Sequence, residues 1–150
     1  SAETDSSSRG FEKEDTAVIL VRFDSGALGS FLLSDVTPSP WTWEQATGEN
    51  SRFPTAGQNT HRFIGTHGSL EFPDLVLWRQ TSGKIGWHYP IQPEPMCTIA
   101  LDAYAAQCAH FCAVVRGQET PRTDVADATK TLAATIAVFH SAEAGERVVL

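Results

Sequence analysis

Two short runs of β-branched and large apolar residues flank a turn-forming sequence near the start of the chain. The runs are residues 16–23 (TAVILVRF) and 27–34 (ALGSFLLS), and residues 24–26 (DSG) lie between them. Strand-length apolar runs on either side of such a turn predict a β-hairpin. Alternation along a strand does not by itself decide which hairpin face holds each large side chain, namely Val18, Leu20, Phe31 and Leu33.

Four more runs of strand length follow a long irregular segment. They are residues 60–65 (THRFIG), 69–72 (SLEF), 75–80 (LVLWRQ) and 85–89 (IGWHY). Because short turns connect them, we expect these strands to pair mostly antiparallel. We expect the strand region to end at three prolines, Pro90, Pro93 and Pro95.

The apolar period becomes helical from about Thr98 onward. Gly117 is placed to end a first helix, whose apolar stripe comprises Leu101, Tyr104, Cys108, Phe111, Cys112 and Val115. Asp124 is placed to cap a second helix that ends at Gly145, with an inner stripe of Val125, Leu132, Ile136 and Phe139. Residues 147–150 (RVVL) are long enough for a last edge strand.

This order of strands, two helices and a short strand predicts an α+β fold. We expect an open, mostly antiparallel β-sheet of six or more strands with two helices packed on one face. The other sheet face is then uncovered, and an uncovered apolar face indicates a partner, either another domain or another subunit. Residues 16–150 form this domain, and the polar residues 1–15 are interpreted as a disordered leading segment or tag remnant.

Composition excludes several function classes. The chain has 150 residues and a formal net charge of -7, which argues against binding to a nucleic-acid backbone. No apolar run approaches the roughly 18–20 residues that cross a bilayer, so we expect no membrane partner. The three cysteines, Cys97, Cys108 and Cys112, cannot all pair, and we interpret them as reduced, buried thiols of a cytoplasmic protein.

Two stretches of the sequence together resemble one protein family. Residues 64–72 (IGTHGSLEF) match its strand–turn–strand pattern. Residues 111–150 match its closing pattern, which includes residues 115–121 (VRGQETP) and 141–150 (SAEAGERVVL). Over roughly residues 15–150 the chain resembles the C-terminal domain of the glucose–fructose oxidoreductase / inositol dehydrogenase (Gfo/Idh/MocA) family. The resemblance implies the substrate-side and oligomerisation domain of an NAD(P)-dependent dehydrogenase or oxidoreductase.

The family's cofactor-binding and catalytic motifs do not occur in this sequence. No G-x-G-x-x-G follows a strand, and residues 12–14 (EKE) are not the family's Glu-Lys-Pro segment. The family's Asp…His helix, which precedes the hairpin, is also missing. The resemblance therefore implies a fragment without its Rossmann domain, with no catalytic or cofactor-binding residues and inactive alone, whose parent protein binds NAD or NADP.

The resemblance implies three partners: the chain's own N-terminal dinucleotide-binding domain, a sugar or polyol with a CH–OH group, and further copies in a homo-oligomer formed through the open sheet face. Hydroxyl groups above an apolar ring face suit aromatic side chains combined with carboxylates and amides. Residues 36–58 form a long loop that offers this mixture, and long loops are usually functional or disordered. The candidate substrate-binding residues there are Trp41, Trp43, Glu44, Glu49 and Asn50.

His61 and Arg62 begin the next strand and are further substrate-binding candidates, although strand alternation points one of the two away. The plainer alternative for the loop is that both tryptophans simply fix it to the sheet. Cys108 and Cys112 share a helix face, but His110 points away from it, so we expect no metal site. A non-catalytic dimerisation or ligand-sensing module, or a free-standing binding domain, remains as an alternative function.

Overall fold

The computed structural model describes residues 1–84, 86–97 and 101–150, which form two compact units. Unit 1 comprises residues 1–37 and 103–150, and unit 2 comprises residues 38–102. In chain order the elements are β1 (Ala2–Asp5), β2 (Thr16–Arg22), β3 (Leu28–Ser34), α1 (Trp43–Thr47), β4 (His61–Gly65), β5 (Gly68–Phe72), β6 (Val76–Arg79), β7 (Gln92–Pro95), α2 (Ala103–Val115) and α3 (Val125–Ala144).

The sheet of unit 1 is antiparallel, with β2 in the centre between β1 and β3. The predicted hairpin is confirmed, since Thr16 pairs with Ser34 and Arg22 pairs with Leu28. The register also decides the two faces of this sheet, because residues that pair across antiparallel strands point to the same side.

One face of the sheet lies toward α3 and the other does not. Ile19 pairs with Phe31 and is half-buried on the α3 side, where it lines a space with Val138 of α3. Val18 and Leu20 point to the opposite side and are exposed. The open question from the sequence is thus resolved: Val18 and Leu20 share one face, and Phe31 and Leu33 share the other.

The predicted ends of α3 are confirmed by its caps. Asp124 Oδ1 accepts the Asp127 N–H at 2.9 Å, and Gly145 adopts the left-handed conformation with φ 66°. The predicted inner stripe is wrong for Val125, Leu132 and Ile136, which are exposed, whereas Phe139, although 42% exposed, borders a cavity together with Ile19 and Leu33 of the sheet. Ala134, Ala137, Val138 and Ser141 of α3 line a cavity together with residues of β1 and β2. These four residues also follow helical spacing, so periodicity alone could not choose between the two stripes.

Ser141 ties the C-terminal end of α3 to the first strand. Its hydroxyl is buried, accepts the Ala2 N–H at 3.0 Å and donates to the Glu146 carbonyl at 2.5 Å. Residues 147–150, predicted as a last edge strand, form no strand. They instead line a cavity of about 330 Å³ together with residues of β2 and α3.

The leading segment contains ordered elements, in contrast to the predicted disordered segment or tag remnant at residues 1–15. Strand β1 pairs with β2 through Ala2 opposite Ile19 and Asp5 opposite Thr16. The buried carboxylate of Asp15 then accepts the N–H groups of Ser8 and Arg9, both at 3.2 Å. The polar composition of this segment could not predict its structure, because that structure depends on a single carboxylate, that of Asp15, which accepts hydrogen bonds from backbone N–H groups of the loop.

Unit 2 contains an antiparallel sheet in the order β4-β5-β6-β7. Strands β4 to β6 lie on three of the predicted runs. The predicted strand at residues 85–89 is wrong for residues 86–89, which form a turn closed by the Tyr89 N–H on the Gly86 carbonyl at 3.1 Å. Ile85 lies outside the described residues.

Strand β7 occupies the proline segment that was predicted to end the strands. Pro93 and Pro95 pair with Trp78 and Val76 of β6. Because the two prolines are two residues apart, their backbone nitrogens, which carry no hydrogen, face the same side of the strand. That side is the open edge, since β7 is the last strand of the sheet and the Met96 N–H bonds the Leu75 carbonyl.

The α+β class and the antiparallel pairing are confirmed, but the predicted architecture is not. The described strands form two sheets, of three and four strands, and not one open sheet of six or more. The apolar runs predicted β2 to β6 but not β1 or β7, and strand pairing is a non-local property that the runs do not encode.

Helix α2 begins at Ala103, and residues 98–100, at the predicted start, lie outside the described residues. No residue of α2 is buried, so its predicted inner stripe is exposed. The predicted burial of the cysteines is also wrong: Cys97, Cys108 and Cys112 are free but exposed. The helical period predicted α2 correctly without specifying what covers its apolar side chains.

We predict that Asp15→Ala loosens the loop at residues 6–15, because the Ser8 and Arg9 amides lose their acceptor. Hydrogen bonds to a charged group contribute about 1.5–3 kcal/mol, so trypsin cleavage after Arg9 and Lys13 should accelerate at least about tenfold. Mass spectrometry of a digestion time course measures this. Asp24→Ala, in an exposed turn, is the control, and equal cleavage of both variants would contradict the role assigned to Asp15.

Candidate functional site

A short helix within the long loop positions the first side chain of the site. Thr42 caps α1, since its hydroxyl accepts the Gln45 N–H at 3.4 Å. Gly48 ends the helix in the left-handed conformation with φ 66°, which favours glycine. The sequence Thr-x-x-Gln at 42–45 is a capping-box pattern, so this helix was readable in a segment that we predicted as irregular.

Four rings meet on one face of the β4–β5 pair. His61 and Phe63 are two residues apart on β4, and His61 lies opposite Phe72 on β5, so all three point to the same side. Trp43 of α1 packs on them, and its ring centroid lies 5.5 Å from that of Phe72 and 6.4 Å from that of His61. The His61 and Phe63 rings are parallel within 3°, with centroids 6.2 Å apart.

We call Trp43, His61, Phe63 and Phe72 the aromatic platform. It is open to solvent, since Trp43 is 40% exposed and Phe63 is 57% exposed. Ring contacts at these separations are favourable beyond simple area burial. The platform is therefore held in place by its own packing while it presents apolar ring surface to solvent.

Two polar groups border the platform. The Trp43 Nε1–H donates to Glu49 Oε2 at 3.2 Å, and His61 Nδ1 lies 2.6 Å from the Thr60 hydroxyl. Among the described residues, none bonds the other carboxylate oxygen of Glu49 or Nε2 of His61. A carboxylate oxygen and an imidazole nitrogen beside exposed rings provide hydrogen-bonding partners for hydroxyl groups of a ligand.

The structure brings together three of the predicted site residues: Trp43, Glu49 and His61. Arg62 points to the opposite sheet face from His61, because neighbouring residues of a strand alternate between faces. Its guanidinium lies 3.8 Å from the Glu71 carboxylate. Trp41 is 65% exposed and makes no ring contact with another described residue.

Glu44 and Asn50 have local structural roles in the described chain. The Glu44 carbonyl accepts the Gly48 N–H at 3.1 Å, which closes the end of α1. The Asn50 side-chain oxygen accepts the Arg52 N–H at 3.1 Å in the following turn. Their proposed substrate contacts therefore stay predictions.

Sequence reasoning missed Phe63 and Phe72 as members of the site. Phe63 follows from His61 by the two-residue period of a strand, so the signal was present. Phe72 required the β4–β5 register, which the sequence does not fix at single-residue precision.

No metal centre is found in the part of the chain that the structure describes. No three His, Cys, Asp or Glu side chains come together there in a way that could hold an ion. His110, the neighbour of the two helix cysteines, pairs with Glu119 at 2.6 Å and accepts the Arg122 N–H at 3.3 Å.

Antiparallel sheets with a capped C-terminal helix define an α+β domain, and the aromatic platform is exposed on its surface. The profile of the family described as "Oxidoreductase family, C-terminal alpha/beta domain" matches residues 1–150, including the leading segment. The chain therefore belongs to this family, the C-terminal domain of the Gfo/Idh/MocA oxidoreductases, and the resemblance seen in the sequence is confirmed.

Among curated proteins and among solved structures, no significant match to the chain is found. Within the described residues, no helix has both the length and the apolar content that a membrane span requires.

We predict that Trp43→Ala frees α1, because a five-residue helix is too short to persist without tertiary contacts. Loss of a half-buried indole costs about 2 kcal/mol, which corresponds to about 30-fold faster local exchange. Hydrogen exchange at the Ala46 and Gly48 amides, which bond the Thr42 and Glu44 carbonyls, measures this.

Trp41→Ala is the matched control for this experiment. Its indole contacts no other described ring, so exchange at the same amides should stay within about twofold of the wild type. Equal effects of the two variants would show that both tryptophans fix the loop and would contradict a distinct role for Trp43.

Proposed function

We propose that this domain is the substrate-side domain of an NAD(P)-dependent oxidoreductase that acts on a CH–OH group of a sugar, polyol or related compound. The family match supports the parent activity at the level of an oxidoreductase. The observation that carries the substrate class is the aromatic platform, with a carboxylate and an imidazole at its border.

The chemistry of hydride transfer explains what such a domain contributes. The substrate C–H must be held against the nicotinamide ring and shielded from water. In our proposal, Trp43 and Phe63 contact the apolar C–H face of the substrate, and Glu49 accepts a hydrogen bond from one of its hydroxyl groups. These residues would orient the substrate, and a dinucleotide held by another domain of the parent protein would supply the hydride-accepting chemistry.

The dinucleotide does not fit the residues of this chain. A pyrophosphate binds at a helix N-terminus behind a glycine-rich turn, and the sequence contains no G-x-G-x-x-G. At the N-terminus of α3, Asp124 and Asp127 place negative charge where a phosphate would bind. We therefore assign the cofactor, NAD or NADP, to a dinucleotide-binding domain of the parent protein.

We further propose that the domain contributes to a homo-oligomer through the sheet face that carries Val18 and Leu20, and that the protein is cytoplasmic. Exposed apolar sheet surface supports the first point. The same surface favours the second candidate function, a non-catalytic dimerisation or ligand-sensing module. Oxidation of a polyol by the parent protein with NAD or NADP would distinguish the enzyme from this alternative.

We predict millimolar binding of a polyol or sugar to the platform, because isolated stacking and hydrogen-bond contacts provide only about 4 kcal/mol. Titration with glucose and myo-inositol should shift the indole N–H signal of Trp43 in a saturable way and leave that of Trp41 in place. Glu49→Gln should weaken binding about tenfold, because a charged acceptor is lost. Saturable shifts confined to Trp41 or Trp87 would contradict the assignment.

We also predict that the 150-residue chain shows no binding of NADH by calorimetry, because it lacks a phosphate-binding turn. A dehydrogenase with a complete Rossmann domain serves as the positive control in the same buffer. Micromolar affinity of this chain for NADH would overturn the assignment of the cofactor to another domain.

A further inference from the structure

The sheet face that carries the aromatic platform continues beyond it onto β6 and β7. Phe63 lies opposite Leu70 of β5, and Leu70 lies opposite Leu77 of β6. Leu77 in turn lies opposite Glu94 of β7. Because residues that pair across antiparallel strands point to the same side, one row of side chains crosses the whole four-stranded sheet.

A cluster of polar side chains lies at the far end of this row. Arg79 is two residues from Leu77 and shares its face, and it pairs with Gln92 of β7. Arg79 Nη2 lies 2.5 Å from Glu94 Oε2, and the Thr81 hydroxyl donates to Gln92 Oε1 at 3.3 Å. We call Arg79, Thr81, Gln92 and Glu94 the polar edge, and all four are exposed.

The charges of the polar edge compensate each other. The side chains of Arg79 and Glu94 are 49% and 51% exposed, and an ion pair with this exposure contributes little to stability. A guanidinium has five N–H donors and a carboxylate has about four lone-pair positions, so the pair retains hydrogen-bonding capacity toward a ligand. Because Glu94 would repel an anion and Arg79 would repel a cation, the pair favours a neutral group that carries several hydroxyls.

The distance between the two ends of the face indicates the size of the ligand. Phe63 and Arg79 are two strands and two residues apart, which corresponds to about 12 Å. Leu70 and Leu77 lie between them and are half-buried, so the surface between the two ends is aliphatic. One sugar ring stacked on the platform does not reach the polar edge, whereas two linked rings do.

We propose that the polar edge is a second sugar subsite and that the ligand of this domain is a neutral disaccharide or other glycoside. The platform takes the ring that carries the reacting CH–OH group. At the polar edge, Arg79 donates to hydroxyl groups of the second ring and Glu94 accepts from them. This inference rests on the proposed function, to which it adds the length and the charge of the substrate.

Nuclear magnetic resonance titration of the 150-residue chain with glucose, cellobiose, maltose and glucuronate tests this proposal. Glucose should shift the indole N–H signal of Trp43 and leave the Nε–H signal of Arg79 in place, whereas a disaccharide should shift both. At least one disaccharide should bind at least about tenfold more tightly than glucose, because the second ring adds contacts without a second loss of translational freedom. Glucuronate should bind no more tightly than glucose.

Arg79→Leu removes the donors of the polar edge and leaves Glu94 in contact with solvent. This variant should bind the disaccharide within about threefold of its affinity for glucose, and its affinity for glucose should be unchanged. Arg62→Leu is the matched control, because Arg62 belongs to the same sheet and also lies near a carboxylate, that of Glu71, but points to the opposite face. Both affinities of the control should stay within about twofold of the wild type, and circular dichroism verifies that each variant is folded.

The outcomes separate this inference from the proposed function. If glucose shifts the Trp43 signal but neither disaccharide binds more tightly, the second subsite is wrong while the platform stands. Equal loss of disaccharide binding in Arg79→Leu and Arg62→Leu would lead to the same conclusion. Tighter binding of glucuronate through Arg79 would overturn the assignment of a neutral ligand. If no sugar shifts the Trp43 signal, the platform and the second subsite are both wrong.

Discussion

The register of β4 and β5 is the constraint on which the candidate site depends. His61 lies opposite Phe72, and Phe63 follows His61 on the same face, so three rings project from neighbouring positions of one sheet face. A shift of one residue would move His61 and Phe63 to the other side. Trp43 then completes the platform from a helix of five residues, which depends on that ring surface for its own stability.

The two units contribute different properties to the domain. In unit 2 the rings, the Glu49 carboxylate and the His61 imidazole form a surface suited to a ligand that has both C–H and O–H groups. In unit 1 the Ser141 hydroxyl ties α3 to β1, and the sheet face that carries Val18 and Leu20 is apolar and exposed. The two units thus present two different exposed surfaces, one of rings with polar groups and one of aliphatic side chains.

The parts of the fold that local chemistry determines were predictable from the sequence. The β2–β3 hairpin follows from its turn, and the limits of α3 follow from Asp124 and Gly145. The parts that depend on tertiary contacts were not. Non-local contacts determine three such features: which side of α3 lies toward the sheet, the strand at Pro93 and Pro95, and the division into two sheets.

The same distinction holds for the candidate site. The tryptophans and carboxylates of the long loop indicated Trp43 and Glu49 as site residues. Strand alternation required the side chains of His61 and Arg62 to point to opposite sheet faces. Trp41 could not be separated from Trp43 on composition, because the difference arises from the α1 cap at Thr42, which directs only one of the two indoles onto the sheet. Phe72 depended on a register that single-sequence patterns do not resolve.

The central claim is that the aromatic platform holds the C–H face of a polyol. Intermolecular nuclear Overhauser effects between a bound polyol and the protein's ring protons test this claim most directly. The account predicts cross-peaks from ligand C–H protons to the rings of Trp43 and Phe63. Cross-peaks that reach only the rings of Trp41, Trp87 or residues of unit 1 would contradict it.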